Sequence, residues 1–160
     1  MYIKIIFQGP LDILIVDTPP GTGDVHLSLS QNVPLSGVIL VSTPQTTALN
    51  VTRRGADMYR TLKVPIIGII ENMSYVICDG CGKENILYNN AIDAFSDELD
   101  IDVVGKIPLE KEIINCCENG TPSCIQHPDA MFTKVYRNIA KTVIGYLDHY
   151  NEIASEKTRQ

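Results

Sequence analysis

Two short stretches of this 160-residue chain hold residue types that could do chemistry. The first is Asp17-Thr18-Pro19-Pro20-Gly21-Thr22-Gly23-Asp24. It follows the apolar run Leu11-Asp12-Ile13-Leu14-Ile15-Val16, which reads as a strand buried on both faces. In open α/β sheets, ligands bind beyond the carboxyl ends of the strands. A carboxylate placed there, Asp17, can hold Mg²⁺ through water. Glycines at Gly21 and Gly23 let backbone N–H groups come close to a phosphate. The competing reading is a strand end with a tight turn, in which Asp24 does no more than cap a helix. The whole octapeptide, set after a buried strand, favours the phosphate site.

The second stretch is Cys78-Asp79-Gly80-Cys81-Gly82. A redox pair sits where a strand enters a helix, because the helix N-terminus lowers the thiol pKa. Here a glycine follows the second cysteine and no helical pattern begins before about Asn90. The pair reads better as a metal knuckle, with Gly82 relieving the turn around a sulfur. A tetrahedral zinc or an iron–sulfur cluster needs four ligands, and one C-x-x-C supplies two. The remainder comes from Cys116, Cys117 or Cys124, or from a second chain. Two unligated loop cysteines are the third possibility. Cys116 and Cys117 are neighbours on a predicted helix and point about 100° apart. Cys117, one turn after Ile113, is expected to pack as a small hydrophobe, and Cys124 falls in a Pro-flanked loop. His26, His127 and His149 form no ligand pattern, so structural or solvated roles are expected.

The elements that would position these stretches alternate strand and helix. Val38–Val41 and Ile66–Ile70 read as further buried strands. Between them Thr46–Lys63 reads as a helix, with Thr46 near its N-cap and Pro65 blocking its continuation. Ala91–Leu99 reads as a helix, Val103–Gly105 as a strand and Glu110–Glu118 as a helix stopping near Gly120. The last helix repeats Val135, Ile139, Val143 and Leu147 at i+4. Residues 72–90 read as the longest irregular region, of a length that is often functional. The sequence thus predicts one α/β domain over 1–150, with a largely parallel sheet flanked by helices and a fraying polar tail over 151–160.

Composition narrows the function classes. Acidic residues outnumber basic ones 19 to 13, for a net charge of −6. A nucleic-acid or anionic-membrane binder needs a basic face instead. No apolar run reaches the length of a membrane span. Met1–Pro10 holds one Lys and a short apolar stretch, unlike a signal peptide or a presequence. Five cysteines suit a reduced intracellular protein better than a disulfide framework.

Together these residues resemble a known family, the Mrp-type, NUBPL-like P-loop ATPases that carry iron–sulfur clusters. The resemblance rests on Asp17–Asp24 followed by Val25-His26-Leu27-Ser28, on Val41-Ser42-Thr43-Pro44-Gln45, on Glu71-Asn72-Met73-Ser74, on Cys78-x-x-Cys81 and on Ile107-Pro108-Leu109. It spans about Leu11 to Tyr150. It implies a P-loop NTPase fold of the deviant Walker A, MinD/Mrp-like class. Asp17 would be the Walker B carboxylate that reaches Mg²⁺ of bound ATP through water. Gly21 would stand beside the γ-phosphate in the switch II turn that also contains Gly23. Asn72 would read the adenine edge, and Pro108 would line the base pocket. Cys78 and Cys81 would ligate a [4Fe–4S] cluster shared across a two-fold axis with the same pair of a second subunit. The implied function is assembly of iron–sulfur clusters and their delivery to apo iron–sulfur proteins, in service of respiratory complex I. The implied compartment is the mitochondrial matrix, with the cytoplasm as alternative.

The family also begins with a strand, a Gly-rich Walker A loop and a helix. No G-x-x-x-x-G-K-[S/T] occurs in this chain. The chain is therefore expected to correspond to the C-terminal part of such a protein, to bind ATP weakly and not to hydrolyse it. Two readings from other classes stand beside this one. A non-enzymatic zinc-knuckle module would bind a protein partner, with one zinc per chain. A ParA/MinD-like partitioning ATPase would share the sheet but has no use for Cys78 and Cys81.

Overall fold

The computed structural model describes residues 11–78, 80–88 and 91–158, with side chains as far as Glu152. Met1–Pro10, Asp79 of the cysteine motif and the last two residues of the tail lie outside the described residues. The chain runs through α1 (Asp24–Asn32), β1 (Val38–Ser42), α2 (Thr46–Thr61), β2 (Ile66–Glu71), β3 (Tyr75–Ile77) and β4 (Glu84–Ile86). It continues through α3 (Ala91–Leu99), β5 (Val103–Lys106), α4 (Lys111–Glu118), α5 (Ser123–Gln126) and α6 (Met131–Thr158). Strands β1, β2 and β5 form a parallel sheet in that order, and β3 pairs with β4 as a separate antiparallel hairpin.

Side chains point alternately to the two faces of the sheet, and each face carries an apolar layer. Leu40 and Ile69 pack with Leu49 and Ala56 of α2 and with Ile92, Phe95 and Leu99 of α3. On the opposite face Ile39, Ile70 and Val104 meet Ile113 of α4 and Val135, Ile139 and Val143 of α6. Helices α2 and α3 are joined at their edges by the Arg53–Glu98 ion pair and by the Arg60 guanidinium, which donates to the Leu99 carbonyl. The Arg53 guanidinium also lies over the Phe95 ring, 5.2 Å from its centroid.

The parallel sheet and its flanking helices are as the sequence predicts. Leu11–Val16, expected to be its first strand, forms none. Its apolar side chains stay outside, with Ile15 at 85% exposure and Leu11 at 54%. A strand exists only with a partner for its backbone groups, and none of the three parallel strands pairs with this segment. Three smaller corrections follow. Gln45, not Thr46, occupies the N-cap of α2. Cys116, not Cys117, is the buried cysteine of α4, because it shares the inward face with Ile113 at i+3 while Cys117 points to solvent. Helix α6 runs on to Thr158, where a fraying tail was expected from Asn151.

Two glycines permit close approach, Gly68 to the neighbouring strand β5 and Gly105 to helix α6. A Cβ on Gly68 of β2 would lie 2.3 Å from Val104 Cγ1 and 2.8 Å from the Asp102 carbonyl oxygen. A Cβ on Gly105 of β5 would lie 2.4 Å from Ile139 Cγ1, so α6 sits against bare backbone. Gly145 of α6, in contrast, has nothing within 4 Å of a built Cβ. Gly105→Ala should therefore cost about 1–3 kcal/mol through overpacking. Gly145→Ala should add about 0.5–1 kcal/mol by relieving a glycine inside a helix. Urea unfolding midpoints of the two variants, at unchanged slope, check both signs.

Candidate functional site

Because the three strands are parallel, their carboxyl ends share one edge of the sheet. The backbone there continues the ladder beyond the last strand residues. Asn72 N donates to Ser42 O and Ile107 N to Glu71 O, both at 2.8 Å. These bonds bring Asn72 and Pro108, two of the residues expected at a base pocket, to adjacent positions on the carboxyl edge. Pro108 is buried and Asn72 half-buried. Met73 follows in the left-handed region at φ 56, a conformation that costs a non-glycine residue about 1–2 kcal/mol. Strain of this kind is concentrated at functional turns.

The cysteines stand on a structure that the sequence reading missed. Residues 72–90 contain the hairpin β3–β4, with Tyr75 opposite Ile86 and Ile77 opposite Glu84. Cys78 leaves the end of β3, half-buried, and Cys81 lies exposed in the connecting turn. Two bonds close that turn, Gly82 N to Cys78 O at 2.8 Å and Cys78 N to Lys83 O at 3.0 Å. Gly82 holds φ 68, a left-handed conformation that glycine takes without strain. The hairpin is too short to be stable alone. It is joined to the sheet edge by Ser74 N to Ile107 O and Leu109 N to Tyr75 O. Gln45 Nε2, at the start of α2, adds a bond of 2.9 Å to the Tyr88 hydroxyl at the hairpin's other foot. A signal for the hairpin was present in the β-rich Tyr75-Val76-Ile77, but its partner Glu84-Asn85-Ile86 is polar and exposed.

Between hairpin and sheet edge lies a cavity of about 280 Å³, lined by Glu71, Ser74, Tyr75, Glu84, Tyr88 and Lys106, with Ile86. Glu71 is the unexpected member, a carboxylate 3% exposed at the end of β2. Its Oε2 makes no hydrogen bond and faces Lys106 Nζ at 3.4 Å. Lys106 also donates to Asp93 Oδ1 at 3.1 Å. Partial burial opposes the Lys106 charge, but Asp93 and Glu71 outweigh it and hold the ammonium above its ordinary value of 10.5. Burial, with Glu84 and Glu110 nearby, raises the Tyr75 phenol.

The first motif is placed differently. Asp17 is exposed and continues no strand. Gly21 adopts φ 100, which only glycine takes without strain. Gly23 is the N-cap of α1, with Asp24 in the first turn of that helix. The turn is tied to the protein through His26. The ring Nε2 lies 2.9 Å from the Pro19 carbonyl oxygen and Nδ1 lies 2.9 Å from the Tyr59 hydroxyl, in the last turn of α2. No hydrogen bond or ion pair among the described residues joins residues 17–23 to Asn72 or Pro108. The turn and the base edge are instead anchored towards opposite ends of α2, a 16-residue helix about 24 Å long.

Cys116 donates to Gln126 Oε1 at 3.3 Å, across α4 and α5. Cys124, expected in a loop, lies half-buried on α5. Among the described residues, no group of three or more His, Cys, Asp or Glu is placed to hold a metal ion. None of the helices searched is long and apolar enough to cross a membrane.

Residues 2–144 match the ParA family described as NUBPL iron-transfer P-loop NTPase. The chain is 42% identical over 140 residues to the "Iron-sulfur cluster transfer protein NUBPL" of Mus musculus, which covers 87% of this chain and 44% of that protein. It is 38% identical over 145 residues to the "Iron-sulfur protein required for NADH dehydrogenase, mitochondrial" of Arabidopsis thaliana, covering 90% and 46%. The chain thus spans less than half the length of either relative. Among solved structures, the nucleotide-binding protein of Archaeoglobus fulgidus in complex with ADP superposes with a TM-score of 0.57 at 29% identity, covering 66% of this chain and 44% of that one.

The Glu71–Lys106 pair gives a prediction that does not depend on any ligand. Lys106→Met leaves a buried carboxylate without its cation and should destabilise by about 1–3 kcal/mol. The double variant with Glu71→Gln should recover most of the loss. The raised Lys106 pKa means that the pair's contribution is fully present below the ordinary lysine value and is lost as pH rises through the folded one. Wild-type unfolding free energy should then fall more steeply above pH 10.5 than that of the double variant.

Proposed function

Since the chain belongs to the NUBPL iron-transfer P-loop NTPase family, we propose that it holds an iron–sulfur cluster on Cys78 and Cys81 and passes it to apo iron–sulfur proteins. The observation that carries this reading is the placement of the pair. Both cysteines stand at the outer turn of a hairpin whose feet are fixed to the carboxyl edge of a parallel sheet. A cargo that must be handed to another protein needs ligands that such a protein can approach, and Cys81 is exposed. Thiolate sulfurs are the ligands that iron–sulfur clusters use.

The described part of one chain gathers no larger ligand group around these sulfurs. In this reading, as the family resemblance implies, the cluster is a [4Fe–4S] centre bridged between two subunits. Two cysteines from each chain complete its four ligands across a two-fold axis. Nucleotide is the second ligand in this reading. Asn72 and Pro108 would meet the base on the carboxyl edge, and Asp17, Gly21 and Gly23 would meet Mg²⁺ and phosphate once the Gly-rich turn, anchored in this structure towards the other end of α2, is carried to that edge. Support comes from the ADP complex of the Archaeoglobus fulgidus relative. The recipients are apo-proteins of respiratory complex I and the compartment is the mitochondrial matrix, a reading supported by the name of the Arabidopsis relative. Residues 1–150 act as a single domain of this type.

Anaerobic reconstitution with iron and sulfide tests the cluster. The product should be brown and dimeric, with about one [4Fe–4S] per two chains. Cys78→Ser and Cys81→Ser should each abolish colour and dimer together. A double Cys116→Ser/Cys117→Ser variant should retain both. One tightly held zinc per chain, with no acid-labile sulfide, would establish the zinc-knuckle module instead.

A further inference from the structure

We propose that His26 is the positioning residue of the Gly-rich turn, its imidazole tying the Pro19 carbonyl to the Tyr59 hydroxyl and so setting where Asp17 and Gly21 stand. The inference concerns where the turn stands in this chain, and it holds whether or not residues 17–24 meet nucleotide.

The turn has little else to hold it. Leu11–Val16 before it pairs with no parallel strand. Asp17, Pro19, Pro20, Thr22 and Gly23 are all exposed. Among the described residues, the bond from His26 to Pro19 is the only hydrogen bond that reaches residues 11–22 from the rest of the protein. Helix α1, which follows the turn, buries only His26 and Leu29. The fixed point is therefore one ring, 5% exposed, seated against a tyrosine 7% exposed.

The chemistry of the two partners defines the ring. A carbonyl oxygen only accepts, so the Pro19 contact requires the proton on Nε2. With the ring neutral, Nδ1 is then an acceptor and the Tyr59 hydroxyl donates to it. The site thus needs one donor and one acceptor on a single planar side chain, a pair that a glutamine amide also offers and a leucine does not. A histidine serving only to fill space would need neither group.

The experiment uses the whole 160-residue chain and ¹⁵N NMR relaxation. In the wild type, the amides of Gly21, Thr22 and Gly23 should show order parameters near the rigid-backbone value of about 0.85. In His26→Leu they should fall below about 0.6, while those of β2 stay unchanged. His26→Gln should keep the turn ordered, and Tyr59→Phe should give an intermediate value. The wild-type ring should bear its proton on Nε2. A ring whose single proton lies on Nδ1, or equal turn mobility in the Leu and Gln variants, would overturn the proposal. Mg·ATP added to the wild type separates this idea from the nucleotide reading. If millimolar nucleotide, enough to reveal the weak binding expected of this chain, shifts neither Asn72 nor Gly21, the nucleotide reading of the turn fails, and the order parameters still decide the role of His26.

Discussion

Parallel pairing of β1, β2 and β5 is the constraint on which the rest of the molecule depends. It sends three strands out of the sheet at the same edge, and the bonds from Asn72 to Ser42 and from Ile107 to Glu71 keep the chain in register beyond it. Asn72, Met73 and Pro108 are therefore placed by main-chain geometry before any side chain takes part. The hairpin with Cys78 and Cys81 begins three residues after Asn72 and inherits that placement. A sheet with one antiparallel member would have sent one of these ends to the opposite edge.

Helix α2 relates the two candidate ligand regions to each other. Its first turn reaches the hairpin through Gln45 and Tyr88, and its last turn reaches the Gly-rich turn through Tyr59 and His26. Packing against Ile69 on one side and the ion-paired α3 on the other leaves it little freedom to bend. Leu11–Val16 contrasts with this order. Its composition states a preference for burial, and it stays exposed because backbone pairing, which composition does not encode, is missing.

That contrast explains what was legible in the sequence. Ala91–Leu99 and the strands at 38, 66 and 103 were readable because periodicity reports burial, and those segments are buried against their neighbours. The family and the two motifs were readable because Asp17–Asp24 and Cys78–Cys81 keep unusual residue types at fixed spacing. The hairpin was not readable, since Glu84-Asn85-Ile86 is exposed and its pairing with β3 leaves no apolar pattern. Cys116 was confused with Cys117 because they lie at i+3 and i+4 from Ile113, on either side of it, and spacing from one residue does not say which side faces the core. The Glu71–Lys106 pair and the His26–Tyr59 contact join residues 35 and 33 positions apart in sequence, and no local pattern announces such a meeting.

The attachment of the hairpin has an evolutionary corollary. The bonds that close its turn and dock it on the sheet, at Ser74, Leu87, Leu109, Cys78 and Gly82, run from main chain to main chain. Such bonds ask of a donor residue only that it not be proline, and Gly82 alone, at φ 68, must also stay glycine. Mutation can therefore rewrite most side chains around the two cysteines without moving the sulfurs. A lineage is free to reshape the face that surrounds them, and with it the set of proteins that dock there, while the geometry of the pair is inherited intact.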